Sequence, residues 1–360
     1  MELRLHFPDN GWETVRQNWA AWWSGELGRA LVVLECIEPQ DAGTPHYAST
    51  FLGNYGPNKD GKELLELFRP RLEATYYLGE AFPRFWPNFG PGIVAAFAGC
   101  GLQAVPDTTW FAPVAIRTIS DLHVERQAAN PWWQQVAALT RAAIECWGEQ
   151  LSIGFTDLGG NLDILAHLRG TQRLLLDMID DPQEIERLVS ETHKLWLECY
   201  EALYAITCLG QGITSWGPCW SPTRGYLLQS DFAYMISPRM YERFVLPDIY
   251  ACCEALDYPF YHLDGRGQLP HLDMLLSLRH LRGIQWVPGD GQPPAEHWLP
   301  LIQRIQKSGK LCQVYVSTQG TLSILRELGG KGLCLVVNET LTPGEGQALL
   351  EEIHRVEKTS

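Results

Sequence analysis

The stretch "PFYHLDGRGQ", Pro259 to Gln268, sets an imidazole and a carboxylate two residues apart, where an apolar run gives way to a glycine turn. Period-two spacing sends His262 and Asp264 to the same side of a strand. Such a pair can ligate a divalent metal or act as acid and base on one substrate. The plainer alternative is a His bonded to a neighbouring strand, with Asp264 capping the turn before Gly265. Glu35, Asn88, Asp157, Trp216, Trp286 and Ser317 also stand where apolar runs end. Asp157 precedes Gly159 and Gly160, and a buried carboxylate there needs a partner or a task; capping the next helix is its alternative. Asp231, ahead of "ISP", reads as an acid–base group or as a loop carboxylate before a Ser-Pro helix start. Arg169, in "NLDILAHLRG", can bind a substrate carboxylate or close a structural salt bridge. Asn88 is a further candidate substrate contact. Trp216 and Trp286, with Tyr261, can form an aromatic wall around a ligand, core packing being the default for each.

These residues need elements to position them, and the hydrophobic pattern supplies them. Short apolar runs predict strands at 30–37, 81–89 (broken by prolines), 151–158, 212–216, 259–264, 283–287, 311–317 and 332–337. Between them, apolar residues at three-and-four spacing predict helices, among them "GKELLELFRPRLEATYYLGE" and "PWWQQVAALTRAAIECWGEQ". "DPQEIERLVSETHKLWLECYEALYAITCLG" opens on Asp-Pro and stops at Gly, and "SPRMYERFVLPDIYACCEALD" opens on Ser-Pro. Continuous apolar strands separated by helices indicate a parallel sheet covered on both faces. Eight such units predict an α/β fold of one (β/α)8 TIM barrel, whose site lies at the C-terminal ends of the strands. Such a barrel takes about 250 residues, so part of the 360 is extra. The expected partition is a single domain, 1–360, with an N-terminal helical extension and first strand in 1–80 and the rest of the barrel in 81–356.

A formal charge of −14 excludes bulk neutralisation of phosphates, hence a nucleic acid or anionic membrane as partner. No apolar run reaches membrane-spanning length and the N-terminus lacks an apolar signal core, so a cytoplasmic protein is expected. The ten cysteines are scattered without C-x-x-C, which predicts free thiols. Most of the fourteen Trp are expected in the core.

Several segments resemble the uroporphyrinogen decarboxylase superfamily, which includes corrinoid-dependent methyltransferases. "GNLDILAHLRGTQRLLLDMIDDPQEIERLV" is similar to its strand-to-helix segment with a "DDP" helix start. "SDFAYMISPRMYERFVLPDIYACCEAL" resembles its Asp-x-x-x-x-Ser-Pro…Pro motif, "FYHLDG" its His-bearing strand, and "GLCLVVNETLTPGEGQALLEEI" its closing strand and helix. The decarboxylases carry an Arg-rich loop after the first strand; here that place reads "ECIEPQDAGTPHY", acidic rather than basic. The resemblance therefore points away from uroporphyrinogen itself and toward methyl transfer. Its methyltransferases hold zinc with His-x-Cys and a later Cys. The matching positions are His262, Asp264 and Cys334; Glu35, on the first strand, is a further candidate ligand, with a Glu–Arg pair as its alternative. Zinc is the implied metal, and Asp157 or Asp231 would carry a proton or anchor substrate. A corrinoid would enter only through a separate protein, and a second copy of the chain is a candidate partner. Two alternatives stand beside this: metal-free decarboxylation of a porphyrinogen or other small acid, and non-catalytic binding of a sugar or planar ligand among tryptophans.

Overall fold

The computed structural model describes residues 2–115 and 117–358. Eleven strands are present among them: β1 Leu31–Ile37, β2 Thr75–Gly79, β3 Arg84–Phe85, β4 Gly101–Val105, β5 Thr108–Ala112, β6 Ser152–Ile153, β7 Gly225–Leu228, β8 Tyr258–Asp264, β9 Gly283–Val287, β10 Leu311–Val316 and β11 Leu333–Val337. Seven form one sheet in the order β2-β1-β11-β10-β9-β8-β7. Every neighbouring pair in it is parallel except β1 with the edge strand β2. β3 and β6 make a separate parallel pair, and β4 and β5 an antiparallel hairpin. Helices flank the sheet, so the architecture is a mostly parallel, barrel-like α/β fold.

The strands at 30–37, 259–264, 283–287, 311–317 and 332–337 form within a residue or so of the expected bounds. Elsewhere local chemistry shortens or moves them. Pro83 and Pro87 leave only Arg84–Phe85 of 81–89, since each removes a ladder donor. Of 151–158 only Ser152–Ile153 pairs. Beyond it, Gly154 lets the chain pass close to its neighbour, for a Cβ there would stand 3.0 Å from side-chain atoms of Trp86 and Thr214. The segment 212–216 holds only an isolated antiparallel bridge, Ile213 to Ser221. The strand in its place is β7, four residues of "GYLL" too short to stand out. The stretch 61–80 is not one helix. Pro70 restarts it as Arg69–Ala74, and the β-prone "TYY" that follows pairs with β1 as β2. Likewise Pro247 opens a second helix, Leu246–Ala255, after Pro238–Phe244. The helices Pro131–Trp147 and Pro182–Thr207 form as expected, the first capped by the Asn130 side chain on the Trp132 and Trp133 amides.

Alternation along the strands separates two cores. Val32, Leu34, Tyr261, Leu263, Trp286 and Val314 pack toward the flanking helices. Leu31, Val33, Leu227, Phe260, Leu311 and Cys334 pack on the other face, against Trp19, Trp22 and Trp23 of the helix Gly11–Trp23. That helix covers this face near the N-terminal ends of the strands. The C-terminal ends are left to the polar residues of the same parity: Glu35, His262, Asp264 and Tyr315. No described helix is long and apolar enough to cross a membrane, and all ten cysteines are free.

Candidate metal centre at the strand ends

Strand register builds a row across four strands. His262 pairs with Gln285, Gln285 with Gln313, and Gln313 with Cys334. All four therefore share the face opposite the flanking helices. Gln285 and Gln313 are fully buried, which requires their amides to be satisfied within the protein. Gln313 Nε2 donates to the Pro218 carbonyl at 3.0 Å, and that acceptor can only accept. Gln313 Oε1 then faces Gln285 Nε2 at 2.6 Å, which leaves Gln285 Oε1 against His262 Nδ1 at 2.5 Å. The chain of amides thus places the imidazole proton on Nδ1 and leaves the Nε2 lone pair free. Burial lowers the His262 pKa, with Asp264 opposing, so the ring favours the neutral, ligating form. Trp216 meets the ring edge-on, centroids 4.9 Å apart.

Nε2 looks toward carboxylates. Asp264 Oδ2 lies 4.0 Å away, and ligand atoms of Asp231, His262 and Asp264 all fall within 4.8 Å of one another. Behind them Asp163 accepts the backbone amides of Asp231 and Phe232 at 3.0 and 2.6 Å, fixing the turn that presents Asp231. Asp157 accepts from Gly159 N at 2.9 Å and Gln229 Nε2 at 3.3 Å. Burial pushes Asp157 up to about 7, and the nearby Asp163 adds to it. Asp163 is raised to about 7 in the same way, with Asp231 as its charged neighbour. Asp231, at the solvent edge but closely surrounded, is raised to about 7 by desolvation, then by Asp264 and Asp157. Among the described residues no arginine or lysine relieves any of the three. One imidazole nitrogen and two carboxylates with an open side are an acceptable set for zinc or a similar divalent ion, and the surplus negative charge fits a cation.

The other expected site residues lie elsewhere. Cys334 does not reach this group: it sits three inter-strand steps of about 4.8 Å each from His262 along the row. Its thiol instead takes a 3.4 Å contact from Gln313 Nε2, and burial pushes it up to about 12. Glu35 is not a ligand here either, because Arg84 and His46 engage it at 3.5 and 3.7 Å. Burial would raise Glu35, but His46, Arg84 and Arg71 outweigh it and hold it at about 2. Tyr261 and Trp286 have the wrong parity and are buried among the helices, Tyr261 donating to Gln268 and Trp286 packing on Trp298. Asn88 spends both side-chain groups on loop backbone, the Ala48 carbonyl and the Gly90 amide. Arg169 closes a salt bridge to Asp177 and bonds the Arg117 carbonyl, the structural role weighed for it. Sequence reasoning missed Gln285, Gln313, Arg84 and Tyr315. A lone Gln in each of two apolar strands was the available signal for the first two.

A second cluster, His193, Asp248 and Cys252, could also hold a metal by geometry. It lies between the helices Pro182–Thr207 and Leu246–Ala255, away from the strand ends. There His193 Nδ1 already bonds Asp248 at 2.8 Å, which raises the His193 pKa and makes the pair a self-contained salt bridge.

No protein-family model matches the chain, and no curated protein matches it. Among solved structures it is similar to a methyltransferase from Methanosarcina mazei, with 12% identity and a TM-score of 0.60 over 95% of this chain and 98% of that one. At that identity the likeness is one of fold.

Proposed function

We propose that the chain is a metal-assisted methyltransferase of the uroporphyrinogen decarboxylase superfamily, acting on a small-molecule or corrinoid-linked methyl group. In this reading β3 and β6 complete a closed barrel of eight parallel strands in a single domain, with the site at its mouth. The carrying observation is the convergence of His262 Nε2, Asp231 and Asp264, with the imidazole proton held on the opposite nitrogen by Gln285 and Gln313. The similarity in fold to a structure named a methyltransferase supports the reading.

His262, Asp231 and Asp264 would hold the ion. A bound divalent cation supplies Lewis acidity, which keeps a thiol or alcohol acceptor in its nucleophilic form. Gln285 and Gln313 orient the imidazole as a ligand, because a hydrogen bond to one ring nitrogen fixes the tautomer and the direction of the other. Asp157, with a pKa of about 7, is matched to accept the acceptor's proton near neutral pH. Trp216 covers the ring of His262 and keeps water from its flank. A methyl group on a corrinoid would be presented by a separate protein. Purified protein should carry about one zinc per chain, and His262→Ala should lose it while keeping its circular dichroism spectrum. A metal-free wild type that cannot be loaded with zinc, manganese or iron sinks the reading.

Metal-free decarboxylation is the second reading, favoured by the three carboxyls near 7, which are protonated often enough to deliver a proton to a carbanion. Sugar or planar-ligand binding has less behind it, since of Trp216 and Trp286 only Trp216 borders the site.

A further inference from the structure

We infer that Arg84 anchors a carboxylate of the substrate, on the same side of the sheet as the metal-binding residues. This deepens the preceding reading by naming a substrate class, and rests on it for where the reaction occurs. Arg84 lies on β3, whose next residue, Phe85, packs toward the helices against Phe68 and Trp147. Alternation turns Arg84 to the other side, where it meets Glu35 of β1 at 3.5 Å and lies over the Tyr47 ring at 5.5 Å. It is 7% exposed. Yet its Nε and Nη1 are enclosed without a hydrogen-bond partner, and the contact with Glu35 is too long to supply one. A guanidinium carries five donors and is always charged. Leaving buried donors unmet is costly, so an acceptor is expected to enter.

The surroundings select its charge. Glu35 feels both Arg84 and Arg71, and the Nε of Arg71 is likewise enclosed and unpartnered. Two guanidiniums, with His46 beside them, against one carboxylate leave a net positive charge, the complement of an anion. Tyr77, directly opposite Glu35 in the β1–β2 register, and Tyr47 and Tyr315 all interact electrostatically with Arg84. They offer phenolic donors around it. Tyr315 also reaches Gln285, the residue that orients His262. An acid held at Arg84 therefore lies on the side of the sheet that carries Tyr315, Gln285 and His262. A planar carboxylate matches the guanidinium fork.

The test uses full-length protein stripped of metal with EDTA, so that binding is read apart from turnover. Propionate and benzoate are titrated at constant ionic strength, with chloride and inorganic phosphate as comparators, by calorimetry and thermal shift. Either carboxylate should bind and raise Tm in the wild type beyond matched chloride. Arg84→Gln should weaken it at least tenfold, while His262→Ala binds as the wild type does. Should Arg84→Gln not fold with Glu35 left unbalanced, the double variant Glu35→Gln/Arg84→Gln, which removes both charges, should fold and fail to bind. No carboxylate response in the wild type, an undiminished response without Arg84, tighter binding of phosphate, or loss only in His262→Ala would each overturn the assignment. Zinc content of the same His262→Ala protein reports on the metal separately, so either idea can fail alone.

Discussion

Carboxylates in two regions of the molecule have opposite electrostatics. Around His262, the acids Asp157, Asp163 and Asp231 are raised to about 7. On β1, Glu35 is held at about 2. Burial penalises the charged form in both places. The difference is the company: Glu35 has Arg84, Arg71 and His46, whereas the charges that act on the three aspartates are those of other aspartates. One group contains its own cations, and the other is built as though a cation arrives from outside.

The contrast can be broken from either side. His262→Ala should have the largest effect, abolishing stoichiometric zinc binding by metal analysis; retained zinc would mean that the acids alone hold it. Asp157→Asn comes next. A carboxyl whose folded pKa exceeds its unfolded value costs the fold nothing below about 4, increasingly more as pH rises to 7, and a constant amount above. The shift of Asp157 from 3.8 to about 7 corresponds to as much as about 4 kcal/mol at pH 8. Denaturant unfolding of metal-free protein should show Asp157→Asn more stable than wild type at pH 8 and equal to it near pH 4. Glu35 has the opposite sign: its depressed pKa contributes stability above about 4.5 that is lost as pH falls toward 2. Glu35→Gln should cost up to about 3 kcal/mol at pH 7 and little at pH 2.5; a pH-independent loss would indicate packing instead. Gln285→Leu should lower zinc affinity by roughly 10–100-fold, the usual cost of losing a supporting hydrogen bond. Smallest is Arg169→Gln, which should remove about 1 kcal/mol of stability with substrate affinity unchanged.

Sequence patterning located the apolar strands and the long helices because those signals are local. It also brought His262 and Asp264 to one side, since period two follows from the pleat alone. What it could not contain was register. Cys334 was a sensible ligand by type, but the pairing of β8 through β11 sets it three strands from His262 with two glutamines between. Gln285 and Gln313 gain meaning only once those strands are adjacent. Arg84 was hidden by Pro83 and Pro87, which weakened the strand signal where its side chain emerges. Asp231 was legible from its motif, whereas its proximity to His262 depends on Asp163 holding the turn.

The tryptophan-rich first helix has a consequence for how the chain is made. Trp23 donates to the Trp220 carbonyl 197 residues further on, and Ala30 N bonds Glu357 at a separation of 327. During synthesis the aromatic face of this helix is therefore not fully covered until the residues around Trp220 and Phe260 have emerged. Long-range closure of this kind is slow, and it makes the nascent chain a natural client for chaperones that shield aromatic surface.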